Sequence, residues 1–131
     1  MYIPFEDLPG ESRIWIYQSN RKFSEEEFSE IETDLKAFVE EWAAHGTSLE
    51  ASFLLKYNRF IILAVNQDVQ AATGCSIDSS VRFIKQIEKT LFPSRKQWGI
   101  WTTVYIKWLK NALTQVQENY ADYGILGRLQ V

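Results

Sequence analysis

The stretch from Leu49 to Lys89 constrains the fold more than any other part of the chain. It reads LEASFLLKYNRFIILAVNQ, then DVQAATG, then CSIDSSVRFIKQIEK. Leu49, Ala51, Phe53, Leu55 and Tyr57 alternate with Glu50, Ser52, Leu54 and Lys56, which predicts a strand with one face in the core. Phe60 to Val65 is apolar throughout and predicts a second strand, covered on both faces. Asn58-Arg59 supplies the turn between them, giving an antiparallel hairpin. Beyond a polar connection, Ile77, Val81, Ile84, Ile87 and Leu91 recur at helical spacing. Ser76 is the expected N-cap of that helix, with Asp78 in its first turn and Pro93 as its stop.

The preceding residues read as elements that pack on this unit. Residues 1–12 hold Pro4, Pro9 and Gly10, which block regular structure, yet Tyr2, Ile3, Phe5 and Leu8 are apolar. An ordered arm lying across the domain is expected. Arg13 to Gln18 predicts a short strand, with Ile14 and Ile16 on one face and Trp15 and Tyr17 on the other. Ser24 and Glu27 then form a capping-box pattern, with Phe23 and Phe28 at the staple positions. Phe28, Ile31, Leu35, Phe38, Val39 and Trp42 make one helical stripe. Gly46 marks the expected C-terminal stop, so the first helix is placed over about Ser24 to His45.

The last third differs in composition. Residues 91–131 carry two acids, Glu118 and Asp122, against five bases, whereas residues 1–90 carry fifteen acids and nine bases. Trp98, Trp101 and Trp108 also fall here. Trp101, Tyr105, Trp108, Ala112 and Val116 fit a helical stripe over about Thr102 to Tyr120, although Trp101 to Ile106 is also rich in strand-favouring residues. The expected architecture is therefore a single α+β domain over 1–131, with a body at 1–90 and a distinct segment at 91–131. The elements form a two-layer sandwich, β-α-β-β-α with a C-terminal helix, on a mainly antiparallel sheet. A tail strand in place of the helix would make it ferredoxin-like, βαββαβ.

Composition excludes several activities. A hydrophobic fraction of 46% and an aromatic fraction of 15% suffice for a packed core. Net charge is only −3 and no basic stripe appears, so nucleic acid is not an expected partner. One cysteine and one histidine allow no Cys-based zinc cluster and no His-rich metal site, so no metal or cofactor is expected. The start, MYIPFEDLPGE, lacks a charged n-region and a long apolar run, so it does not read as a signal peptide. No run approaches the roughly 20 apolar residues that span a bilayer. A soluble cytoplasmic protein without membrane contact is the expectation.

The runs YIPFEDLPGESRIWIYQSNRKFSEEE and AATGCSIDSSVRFIKQIEK resemble a small bacterial family whose members often carry the label "ABC transporter ATPase". The resemblance covers about residues 2 to 90. The label implies a phosphate-binding G-x-x-x-x-G-K-[ST] loop, and none of the six glycines starts that pattern. An ATPase mechanism is therefore not expected. The tail departs from the family where the composition shifts. A divergent or altered-frame C-terminus would account for that. Sequencing the source DNA across the codons for Lys89 to Pro93 tests it, and an uninterrupted frame with matching relatives would sink it.

One chemical site stands out. Cys75 lies at the expected helix start, where exposed amides and the positive helix end favour a thiolate. No partner base is evident, because His45 falls at the expected end of the other helix. As a structural residue, Cys75 would be a small buried side chain in a tight turn. Gly74, Cys75 and Ser76 together form a candidate ligand-binding turn through their amides, against which Asp78 sets a negative charge. The acids Glu26, Glu30, Glu32, Asp34, Glu40 and Glu41 make either a solvated helix face or a docking surface for a basic partner. Arg13, Arg21, Lys22 and Arg59 form a small basic patch if the first strand borders the hairpin, and are otherwise isolated surface charges. The absence of nucleotide, metal and triad motifs favours a non-enzymatic binding or protein-interaction module, with a protein partner or self-association. The alternative is a small thiol-dependent enzyme or redox protein that uses Cys75.

Overall fold

A computed structural model describes residues 1–19, 21–91, 100–107 and 110, with backbone alone for 91 and 100–107. Strand β1 (Arg13–Ser19) leads into helix α1 (Glu25–Glu41). A small hairpin follows, β2 (Ala43–Ala44) and β3 (Thr47–Ser48). Then come β4 (Ala51–Lys56), β5 (Phe60–Val65), helix α2 (Gly74–Leu91) and β6 (Ile100–Lys107). The main sheet has the order β4-β5-β1-β6, and every pair in it is antiparallel. Each helix thus bridges two strands that have a third strand between them. The layout is α+β with the ferredoxin-like element order.

The two faces of the sheet bury different residues. Trp15 and Tyr17 of β1 and Ile61, Leu63 and Val65 of β5 pack against Ile31, Leu35 and Val39 of α1 and Ile84 and Ile87 of α2. On the opposite face, Ile14, Ile16, Phe60, Ile62 and Ala64 pack with Leu8, Ile3 and Phe5 of the N-terminal arm. β5 is buried on both faces, as its unbroken apolar run requires, and each fully buried Ile or Leu contributes about 1.5–3 kcal/mol. The arm is fixed at one end by Ile3 N–H donating to the Ala51 carbonyl at 2.8 Å. At its other end the buried Lys110 ammonium donates to the Phe5 carbonyl and, at 2.6 Å, to the Leu8 carbonyl.

Several boundaries differ from the sequence reading. α1 ends at Glu41 rather than His45, because Trp42 turns extended (φ −66°, ψ 129°) and buries its indole. His45 and Gly46 both take left-handed backbone (φ 52° and 76°), which is the geometry of a tight hairpin turn rather than a helix stop. The β4–β5 turn has its positive φ values at Tyr57 and Asn58, one residue early, and this carries Tyr57 to the arm side of the sheet. α2 starts at Gly74, before the expected Ser76 cap.

The largest difference lies in the tail. Residues 102–107 belong to strand β6, not to a helix from Thr102 to Tyr120. β1 has two edges, and β5 fills only one of them. β6 satisfies the other, pairing Ile14 with Lys107 and Ser19 with Ile100 across a register shift between Ile16 and Gln18. Apart from Lys110, the rest of the expected helix lies outside the described residues, as does Pro93.

Candidate functional site

The start of α2 is built by a reciprocal cap. Thr73 N–H donates to Ser76 Oγ at 2.7 Å, and Ser76 N–H donates to Thr73 Oγ1 at 3.3 Å. The Ser76 hydroxyl in turn donates to the Thr73 carbonyl at 2.9 Å. The Ser76 carbonyl accepts from Trp42 Nε1 at 2.9 Å and from the Ser79 hydroxyl at 2.8 Å. Ser76 is therefore a buried anchor that joins the start of α2 to the end of α1.

Gly74 and Cys75 are exposed beside this anchor. No described residue hydrogen-bonds the Cys75 thiol. His45 is exposed in the β2–β3 turn. A Cβ built on Gly74 meets nothing within 4 Å, so its backbone is not pressed against any neighbour. Thr73 is the capping residue, and Asp78 lies beyond the first turn. What this turn offers chemically is a free, accessible sulfur beside a hydrogen-bonded helix cap.

A second feature lies on the outer surface of the helical layer. Between α1 and α2 runs an open groove of about 390 Å³, lined by Asp34, Phe38, Glu41, Phe83, Gln86 and Thr90 among others. Its floor is the Phe38–Phe83 pair, stacked at 4.5 Å between centroids and 16° between planes. Phe38 also contacts the Trp42 ring at 5.2 Å, which ties the floor to the same anchor. A second open cleft, about 540 Å³, lies on the other flank of α1 and is lined by Tyr2, Glu32, Lys36, Glu40 and Phe53 among others. Ala37 lines both clefts, so α1 forms a ridge with a small residue at its crest.

Electrostatics separate the two helices. The exposed acids of α1 face solvent, and Lys36 is its one exposed base. On α2 the exposed charges are Arg82, Lys85 and Lys89 against Asp78. Glu27 stands apart from the other α1 acids. Arg21 grips it with two hydrogen bonds, at 2.8 and 2.7 Å, and Ser24 N–H donates to it at 2.8 Å. The Arg21 guanidinium chiefly, and the Ser24 amide after it, lower its pKa from 4.5 to about 2.

The expected basic patch is only partly gathered. Arg59 joins the Arg21–Lys22 end of β1, since Ser19 N–H donates to the Arg59 carbonyl at 2.8 Å. Arg13 sits at the opposite end of β1, roughly 20 Å away at about 3.3 Å per residue, with its guanidinium 4.8 Å from the Trp15 ring centre. The side chains of Trp98, Trp101 and Trp108 lie outside the described residues. The helical groove itself was missed. Phe83 sits one residue before the buried Ile84, off the apolar stripe, and that displaced aromatic was the available signal.

Comparison of the chain with family models, curated proteins and solved structures found no match. Among the described residues no helix is long and apolar enough to cross a membrane. Among them, too, no group of three or more His, Cys, Asp or Glu side chains is placed to hold a metal ion.

Proposed function

We propose that this chain is a non-enzymatic protein-interaction module, acting in the cytoplasm, whose contact surface is the outer face of the α1/α2 layer. The observation that supports this most is the open groove over the Phe38–Phe83 stack. Half-buried aromatics under a polar rim are what a partner's apolar side chain fills on binding. Of the candidate ligand-binding turn, the Ser76 hydroxyl and amide are taken up by the helix cap, which weakens a ligand reading there. On the two runs quoted above, we also propose that the body belongs to the small bacterial family they resemble.

The test is affinity capture from extract that also contains an untagged copy of the chain, comparing wild type, Ala37→Arg and Cys75→Ser. Ala37 is exposed at the ridge, so arginine there blocks both clefts without entering the core. The expected result is a bound protein that wild type and Cys75→Ser retain and Ala37→Arg loses. Equal recovery by wild type and Ala37→Arg would refute the module.

A second reading has the exposure of Cys75 in its favour. A thiol that modifies rapidly at mildly acid pH in folded protein would move the function to that sulfur. A rate no faster than that of an unstructured cysteine peptide would remove it.

A further inference from the structure

Helical geometry sorts the charges of the outer layer. On α2, Phe83, Gln86 and Thr90 take the flank that lines the groove. That leaves the exposed Arg82, Lys85 and Lys89, with the exposed Asp78 among them, on the crest and the far flank. On α1, the exposed Glu30, Asp34 and Glu41 run along the crest and the groove side. None of these charges makes an ion pair within the described residues. The surface therefore carries an acidic stripe, a groove with an aromatic floor and a polar rim, and a net basic stripe, side by side.

We infer that this face pairs with a second copy of itself, about a two-fold axis running along the groove. The inference rests on the reading of the helical layer as the contact surface and names its occupant. Rotation about that axis sets α1 of each protomer over α2 of the other. Each acidic stripe then meets a basic one, and the two Phe38–Phe83 floors face each other at the centre. An axis across the helices would instead set α1 on α1, acid on acid, and is disfavoured. The arrangement is isologous and closes at the dimer, as self-complementary patches do. The rim charges set the register and accelerate encounter, while the aromatic centre supplies the apolar contact.

Sedimentation equilibrium on the purified chain tests this. Wild type should show a concentration-dependent dimer that salt weakens, because the rim pairs are screened. Two triple variants reverse the stripes: Glu30→Lys, Asp34→Lys and Glu41→Lys on α1, or Arg82→Glu, Lys85→Glu and Lys89→Glu on α2. All six positions are exposed, and circular dichroism checks that both variants fold. Each variant alone should have its dissociation constant raised about a hundredfold, since like stripes now meet. An equal mixture of the two should recover the dimer, because each reversed stripe finds its complement. A wild type that stays monomeric at the highest workable concentration would overturn the inference. So would single variants that dimerise unchanged, or a mixture that fails to associate. A monomeric wild type that still captures a different protein in an Ala37-sensitive way would refute self-pairing alone and leave the module intact. A monomer with no such capture would end both.

Discussion

The two helices of this domain begin with the same device made from different chemistry. α1 starts at Ser24, whose hydroxyl accepts from Glu27 N–H at 3.2 Å while the Glu27 carboxylate accepts from Ser24 N–H at 2.8 Å. α2 starts at Thr73, with Ser76 in the place of the glutamate. The first cap is charged, lies at the surface and is braced by Arg21. The second is neutral, and its Ser76 is buried and braced by Trp42 from the far end of α1. The difference teaches where each helix gets its position. α1 is placed by local electrostatics that solvent and pH can reach. α2 is placed by a hydrogen bond between residues 34 apart in sequence, inside the core.

Ser76→Ala breaks the buried cap and should have the largest effect. It leaves the part-buried Thr73 N–H without its acceptor, which costs about 1–2 kcal/mol, the scale of a lost helix cap. The urea midpoint should fall with an unchanged slope. If the midpoint holds, water or the chain replaces the hydroxyl, and the claim that the Thr73–Ser76 cap fixes the start of α2 fails; the Trp42 bond is made to the Ser76 carbonyl and survives the change.

That contrast also explains what could be read from the chain. Ser24-x-x-Glu27 is a recognisable capping pattern, and α1 begins where that pattern places it. Thr73-x-x-Ser76 is equally effective in space, but a serine is itself a good N-cap. The local sequence therefore supports a start at either residue, and Trp42 settles it from a distance. The end of α1 was misread for a related reason. A left-handed glycine stops a helix or turns a hairpin equally well, and Gly46 does the second because Trp42 must leave the helix to bury its indole. For residues 101–106 the sequence leaves a strand open beside the helix it favours, because Trp101, Tyr105 and Trp108 happen to fall at helical spacing; the open edge of β1 that decides for the strand is about 90 residues away in sequence. The apolar runs of β1 and β5 were legible because both faces of each strand are covered. The helical groove was not, since periodicity shows which residues are apolar but not that Phe38 and Phe83 meet across two helices.

The charged cap makes the milder prediction. Glu27 titrates at about 2 when folded, against an ordinary 4.5. A carboxylate held below its usual range adds stability above its unfolded value and loses it as acid takes the pH down toward its folded one. Wild type should therefore lose stability between those two values, and Glu27→Gln should lose less over the same window. At neutral pH the variant should be less stable by about 1 kcal/mol, the scale of a well-formed surface pair. Urea titrations at a series of pH values measure both. Parallel pH profiles for the two proteins would show that Arg21 does not hold Glu27 as the geometry indicates.

Gly74→Ala gives the smallest effect and separates the structural from the chemical reading of the α2 start. Gly74 is helical rather than left-handed, and an added methyl meets nothing within 4 Å. Alanine also restricts the unfolded chain. The variant should therefore be more stable than wild type by about 0.5 kcal/mol, seen as a raised urea midpoint. If a ligand approaches this backbone closely, the same methyl obstructs it, and a reactive Cys75 next door should slow toward thiol reagents carrying an anionic group. A stabilised variant with unaltered Cys75 modification would mean that the glycine serves neither the fold nor a site. The start of α2 would then be a buried cap with an exposed sulfur beside it. A destabilised variant would show that the backbone there needs glycine, and the neutral cap would prove more strained than the charged one.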